Sequence, residues 1–215
     1  MALAVFDIDG TLVAGPGTEK RLFWLLLRLG WLRPGQLGAF LRFGAAHAAA
    51  YGRHTWKKNK AYLAGLPCAG VEALVSGWVA RSVPRWWFAP CVDRLRRHQA
   101  AGDTVVLLSG TPQFLADALA RELGVTRAIG TLCAARAGRF LAEPPLRHPL
   151  GAAKLELVKQ LCADLGVPAT DLFAYADSVH DLPLLRFAGH PVAVRPDPGL
   201  RAAAAAAGWE MLGRR

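Results

Sequence analysis

The sequence contains few cysteines, and none of them has the spacing of a metal site. The four thiols, Cys68, Cys91, Cys133 and Cys162, are scattered over 215 residues without a CxxC pair. This spacing argues against a zinc-finger module and is typical of reduced, mostly buried thiols in a cytoplasmic protein. Hydrophobic residues make up 53% of the chain, so wholesale disorder is excluded and a sizeable core is expected.

A long uninterrupted hydrophobic run is also missing. The most apolar segment, residues 21–32 (RLFWLLLRLGWL), is interrupted by Arg28 and Gly30. It is shorter than the run of about 18 apolar residues that a membrane-spanning helix needs. No signal peptide precedes the first apolar run, because Phe6 and Asp7 follow Met1 almost at once. We therefore expect a soluble, cytoplasmic protein.

Acidic residues are nearly missing from residues 15–88. This segment contains eleven Lys or Arg residues but only two acidic ones, Glu19 and Glu72, and it also holds six of the seven tryptophans. Its pattern predicts about four helices and no strand. The change in composition predicts a separate helical unit, residues 15–88, inserted into a domain formed by residues 1–14 and 89–215.

Outside this segment, short apolar runs alternate with helical patterns. The predicted strands are residues 3–6, 104–108, 172–176 and 191–194. The predicted helices are residues 91–101, residues 112–123 with Thr111 as the N-cap, and residues 152–165. A small hairpin is expected within residues 128–141. The alternation predicts an α/β fold, a Rossmann-like parallel sheet flanked by helices, with an inserted all-helical unit.

Polar residues follow three of the predicted strands at their carboxyl ends. They are Asp7 and Asp9 after the first strand, Ser109, Gly110 and Thr111 after the second, Asp177 and Asp181 after the third, and Lys154 in the helix before the third. In parallel sheets, ligands gather beyond the carboxyl ends of the strands. We therefore expect these residues to meet in one crevice.

The residue types in this set suit phosphoryl transfer with a hard cation. Mg²⁺ usually takes one or two carboxylates together with substrate oxygens. A hydroxyl and free backbone N–H groups at the start of a helix can bind a phosphate, and a lysine stabilises the negative charge that develops there. A carboxylate can also act as a nucleophile and form an aspartyl-phosphate.

Four short motifs resemble those of a known family. "DIDGT" at residues 7–11, "LLSGT" at 107–111, Lys154, and "DSVHD" at 177–181 occur in the order typical of the haloacid dehalogenase-like phosphohydrolases. The helical insertion between the first two motifs resembles the cap of the phosphoserine-phosphatase-like subclass. The resemblance covers nearly the whole chain and implies Mg²⁺-dependent hydrolysis of a small phosphomonoester.

The resemblance also implies a role for each motif residue. Asp7 would be the nucleophile, and Asp9 would protonate the leaving alcohol and then activate the hydrolytic water. The implied metal ligands are Asp7, the backbone carbonyl of Asp9, Asp177 and, directly or through water, Asp181. The implied phosphate-binding groups are Ser109, Gly110 and Lys154, with Lys154 also acting in catalysis by neutralising charge on Asp7.

The insertion offers less specific signals. Arg53 and Lys57, with His54 and Lys58, could select an anionic substrate by charge, or they could form a solvated helix face. Phosphoserine phosphatases carry a Glu soon after the first motif that recognises the substrate amine. Glu19 comes late for that role. Phosphoserine specificity is therefore not predicted, and the substrate stays open.

Two other functions remain as alternatives at this point. The same intermediate would allow a phosphotransferase that passes the phosphoryl group to an alcohol. A non-catalytic module could dock on an anionic membrane or acidic partner through the basic, aromatic insertion, although four placed carboxylates disfavour it. No motif supports specific binding of nucleic acid. The sequence also leaves the oligomeric state open.

Overall fold

The computed structural model describes residues 1–52 and 55–213, and its centre is a six-stranded parallel sheet. The strands in these ranges are β1 (Leu3–Phe6), β2 (Thr104–Pro112), β3 (Arg127–Thr131), β4 (Ala135–Arg136), β5 (Arg139–Phe140), β6 (Leu172–Ala176), β7 (His190–Val194) and β8 (Glu210–Leu212). The sheet order is β3-β2-β1-β6-β7-β8, and β4 pairs with β5 in a separate antiparallel hairpin. The predicted α/β class is confirmed.

Helices flank this sheet and fill the insertion. They are α1 (Thr18–Arg28), α2 (Pro34–Tyr51), α3 (Thr55–Lys58), α4 (Cys68–Ser82), α5 (Ala89–Ala100), α6 (Gln113–Glu122), α7 (Ala152–Leu165), α8 (Leu182–Phe187) and α9 (Pro198–Ala207). In the described part of residues 15–88, all the secondary-structure elements are helices, and none is a strand. The boundaries of the insertion stay a prediction. Within residues 1–52 and 55–213, no helix is both long and apolar enough to cross a membrane.

The central strand β1 is buried on both faces. Ala4 and Phe6 point into one hydrophobic core, whereas Leu3 and Val5 point into a second core on the opposite face. The first core contains side chains of α5 and α6 and continues into α1 and α4 of the insertion. The second contains side chains of α7, α8 and α9. The residues that follow β1 are therefore held between two packed layers.

The end of β2 differs from the prediction. Residues 112–123 were expected to be helical with Thr111 as N-cap, but β2 extends to Pro112 and α6 begins at Gln113. Pro112 is the N-cap residue and takes an extended conformation, in which Pro112 pairs with Thr131 of β3. The Thr111 side chain is consequently directed away from the helix start and makes other contacts.

Two strands of the sheet were not predicted. β3 begins with Arg127 and contains Gly130, and β8 is only three residues long, so neither has a continuous apolar pattern. Both lie at the edges of the sheet and are held by pairing with β2 and β7. The expected hairpin within residues 128–141 is present, but only as the short β4–β5 pair.

Candidate active site

The predicted motif residues meet in one cavity of about 390 Å³ beyond the carboxyl ends of β1, β2 and β6. Its lining includes Asp7, Asp9, Ser109, Gly110, Lys154, Asp177 and Asp181. The parallel pairing of β1 with both β2 and β6 explains the convergence, because it brings the three strand ends to the same edge of the sheet.

The innermost part of the site is a buried group of charges around Lys154. The Lys154 ammonium donates hydrogen bonds to Asp7 Oδ1 at 2.7 Å and to Asp181 Oδ2 at 2.8 Å. Burial raises the pKa of Asp7 to about 8, with the nearby Asp181 and Asp177 carboxylates adding to it and Lys154 opposing it. Burial alone would lower the pKa of Lys154, but its two carboxylate partners hold that pKa above its ordinary value.

Asp9 is held by a separate set of donors. The Thr18 backbone N–H donates to Asp9 Oδ1 at 2.7 Å, and the Thr111 hydroxyl donates to Asp9 Oδ2 at 3.1 Å. The Thr18 hydroxyl lies 3.0 Å from the Thr111 hydroxyl and can donate to it. Because Thr18 begins α1, the first helix of the insertion contacts the carboxylate of Asp9 directly.

Gly10 allows Asp177 to approach the chain closely. Gly10 has φ +88°, and a Cβ atom there would lie 2.1 Å from Asp177 Oδ2. Any side chain at residue 10 would therefore displace the Asp177 carboxylate. Glycine therefore suits this position of the first motif for two reasons, its positive φ and the lack of space for a side chain.

The carboxylates of the site have the chemistry that Mg²⁺ requires. Asp7, Asp177 and Asp181 are all buried, and of the two lysines that line the cavity among the described residues, Lys154 is buried and Lys57 is exposed. A hard divalent cation would offset the remaining negative charge. Among the described residues, no group of three or more His, Cys, Asp or Glu side chains is arranged to hold a metal ion by itself. The carboxylate oxygens of the site fit Mg²⁺ in their chemistry, because this ion usually takes one or two carboxylates together with water and substrate oxygens.

The last residues of β2 also line the cavity. Ser109 is buried, and the Thr111 N–H donates to its Oγ at 3.3 Å. The Thr131 hydroxyl donates to the Gly110 carbonyl at 2.6 Å and lies 2.7 Å from His148 Nδ1. His148 also lines the cavity. Sequence analysis missed it, because a single histidine in an irregular segment carries no local signal.

Among its described residues, the insertion contributes Glu19 and Lys57 to the cavity. Glu19 Oε2 lies 2.5 Å from the buried Lys60 ammonium, and Tyr62 donates to Glu19 Oε1 at 3.0 Å. Burial raises the pKa of Glu19, although Lys60 opposes that shift.

Of the basic residues predicted to contact substrate from the insertion, Lys57 is exposed and lines the cavity. The Lys58 ammonium lies 4.3 Å from the centre of the Tyr51 ring. Arg53 and His54 lie outside the described residues.

Comparisons with known proteins agree with this geometry. The sequence pattern of the haloacid dehalogenase-like hydrolases matches residues 4–186. A probable phosphatase of Mycobacterium tuberculosis is 32% identical over 97% of this chain and 74% of its own length. Phosphoserine phosphatase SerB1 of the same organism is 30% identical over 98% of this chain and 70% of its own. A crystal structure of a Bordetella pertussis protein of unknown function superimposes with a TM-score of 0.77, at 29% identity, over 98% and 97% of the two chains.

Proposed function

The chain belongs to the haloacid dehalogenase-like hydrolase family and is a phosphoric monoester hydrolase, and we propose that it hydrolyses a small phosphomonoester in the cytoplasm through an aspartyl-phosphate on Asp7. Family membership decides against the alternative of a purely non-catalytic module. The observation that supports the proposed mechanism best is the buried contact of Lys154 with both Asp7 and Asp181 at the end of β1.

In the first half of the proposed reaction, a carboxylate oxygen of Asp7 attacks phosphorus. The bond from phosphorus to the ester oxygen breaks, and Asp9 donates a proton to the departing alcohol. Ser109 and the Gly110 N–H would bind phosphoryl oxygens, while Lys154 would hold the Asp7 carboxylate in position and balance its charge.

In the second half, Asp9 takes a proton from water and the resulting hydroxide attacks the phosphoryl group. Phosphate leaves, and the Asp7 carboxylate is restored. Mg²⁺ would be held by Asp7, the Asp9 carbonyl and Asp177, with support from Asp181, and when bound it would neutralise phosphoryl charge. Glu19, Lys57 and the helices of the insertion would limit the access of water to this cycle.

Phosphate release from a panel of phosphomonoesters, with Mg²⁺ and with EDTA, tests the proposal. We expect release that EDTA stops and that falls by about 1,000-fold or more in Asp7→Asn, because the amide cannot attack phosphorus. Asp93→Asn, the same change at an exposed position of α5, is the matched control and should keep full activity.

Two results would contradict the proposal, the first its nucleophile and the second its hydrolytic outcome. The first is normal turnover in Asp7→Asn, with circular dichroism showing the native fold. The second is transfer of most of the phosphoryl group to an added alcohol instead of water, which would establish the phosphotransferase alternative. Acceptor alcohols therefore belong in the panel, with the phosphorylated alcohol and free phosphate measured in the same reaction.

A further inference from the structure

Three large apolar side chains protrude from the helices of the insertion. Trp24 of α1 is 58% exposed, Leu41 of α2 is 63% exposed, and Trp56 of α3 is 58% exposed. The other four tryptophans of the insertion are partly buried and pack against the first core. Burying a tryptophan is strongly favourable, so exposure of two of them on neighbouring helices is a feature that folding alone does not explain.

Ring contacts connect the two exposed tryptophans. The ring centres of Trp24 and Phe23 are 5.9 Å apart, those of Phe23 and Phe40 are 6.2 Å apart, and those of Phe40 and Trp56 are 5.4 Å apart. Leu41 directly follows Phe40. Trp24 and Trp56 are therefore connected by ring contacts across α1, α2 and α3, and the exposed Leu41 is the neighbour of Phe40 on α2.

Exposed positive charges surround this layer. Lys20 and Arg28 lie one helical turn before and after Trp24 on the same face of α1, and Arg42 follows Leu41 on α2. All three are exposed, and none forms an ion pair within residues 1–52 and 55–213. We call the set of Trp24, Leu41, Trp56, Lys20, Arg28 and Arg42 the basic aromatic surface.

The charge of the whole insertion has the same sign. Residues 15–88 contain eleven Lys or Arg residues and two acidic residues, and one of those acids, Glu19, is bound to Lys60. Tryptophan favours the boundary between water and hydrocarbon, and Lys or Arg side chains beside it attract anionic lipid headgroups. We propose that the basic aromatic surface docks this protein on an anionic lipid bilayer.

Docking would place the bilayer beside the entrance of the active site. Lys57 directly follows Trp56 and lines the catalytic cavity. The inference does not require the proposed reaction, since lipid binding and phosphate release are measured separately. It also leaves the substrate undetermined, because a soluble phosphomonoester could reach the cavity of a docked enzyme.

Co-sedimentation of the full chain with vesicles tests the docking. One set of vesicles contains phosphatidylcholine alone, and the other also contains phosphatidylglycerol. We expect binding to the anionic vesicles only, decreasing as salt is raised. The Trp24→Ser/Trp56→Ser variant and the Lys20→Gln/Arg28→Gln/Arg42→Gln variant should each bind about tenfold more weakly.

A matched triple variant tests whether binding depends on the basic aromatic surface or only on the net charge of the chain. Arg127→Gln/Arg186→Gln/Arg201→Gln removes three exposed charges outside the insertion and should bind as the unmodified chain does. Met211→Ser is the control for an exposed apolar side chain on β8. Each variant is checked for its thermal unfolding midpoint and for phosphate release from a soluble substrate.

Three outcomes would overturn the inference. The unmodified chain could fail to sediment with anionic vesicles at low salt. The two triple variants could lose binding equally, which would leave only non-specific attraction by net charge. Finally, the double tryptophan variant could bind as well as the unmodified chain while remaining folded. An acidic protein partner would become the better explanation of the surface in the first case.

Discussion

The Thr111 hydroxyl donates a hydrogen bond to Asp9 Oδ2 across 3.1 Å. Thr111 lies near the carboxyl end of β2 and Asp9 in the loop after β1, so the bond joins the ends of two neighbouring strands. Together with the Thr18 N–H, it fixes both oxygens of the residue that we propose as the general acid and base. The bond exists because Thr111 does not cap α6.

Replacing Thr111 with Val should therefore impair proton transfer to the leaving group. We expect turnover of an alkyl phosphate to fall about tenfold or more, because a loosely held Asp9 protonates a poor leaving group less effectively. Turnover of p-nitrophenyl phosphate should fall much less, since its leaving group needs little protonation. Steady-state kinetics with both substrates gives the comparison.

Thr111→Ser is the control for this prediction, because it keeps the hydroxyl and should retain most of the activity on both substrates. Equal losses on the two substrates in Thr111→Val would show that Thr111 acts through general packing and not through Asp9.

Replacing Lys154 with Met should destabilise the fold as well as stop turnover. The change leaves the buried Asp7 and Asp181 carboxylates without their cation, which typically costs about 3–5 kcal/mol of unfolding free energy. Lys159→Met on the same helix breaks the exposed pair with Glu156 and a ring contact with Phe187 at 5.9 Å, and should cost less than about 1 kcal/mol. Denaturant unfolding without Mg²⁺ measures both values.

The double variant Lys154→Met/Asp181→Asn should recover part of the lost stability, because one of the two unpaired carboxylates is removed. If Lys154→Met and Lys159→Met unfold at the same denaturant concentration, the contacts of Lys154 with Asp7 and Asp181 do not stabilise the fold.

Replacing Gly10 with Ala should weaken the metal site. The new Cβ would lie 2.1 Å from Asp177 Oδ2 and push that carboxylate away, so we expect Mg²⁺ affinity to fall about tenfold or more. Gly30→Ala is the matched control, because Gly30 also has a positive φ (+73°) but no atom within 4 Å of the added Cβ. Titration calorimetry with Mg²⁺ compares the two.

In both variants the alanine would take a left-handed backbone conformation, which should lower the free energy of unfolding by about 1 kcal/mol. Equal Mg²⁺ affinity in Gly10→Ala and Gly30→Ala would show that Asp177 does not bind the metal from this position.

Phosphoserine should not be preferred over 3-phosphoglycerate, which carries a hydroxyl where phosphoserine carries the amine. Glu19 accepts from Lys60 and Tyr62, so a substrate ammonium would have to compete with a buried lysine. We expect kcat/KM for the two compounds to differ by less than about tenfold. Glu19→Gln should change both values to a similar extent. A strong preference for phosphoserine that Glu19→Gln removes would show that Glu19 binds the substrate amine.

Local patterns explain why much of the fold could be predicted from the sequence. β1 and β6 are short apolar runs bounded by polar residues, and α7 ends at Gly166 with a positive φ. β3 and β8 were missed because their residues carry no such pattern, and pairing with the neighbouring strand decides their conformation. The start of α6 was misplaced because both Thr111 and Pro112 are acceptable at a helix boundary.

The sequence by itself determined which motif residues would meet in the site. Asp7, Ser109 and Asp177 each follow an apolar strand, and parallel pairing brings strand ends together whatever the packing details. Only the tertiary structure decided which hydrogen bonds and ion pairs hold the site residues in position. Thr111 contacts Asp9 from 102 positions away, Lys154 contacts Asp7 from 147 positions away, and Glu19 is engaged by Lys60 across 41 positions. Such pairs leave no periodic signal in the chain, because they depend on how separate elements pack.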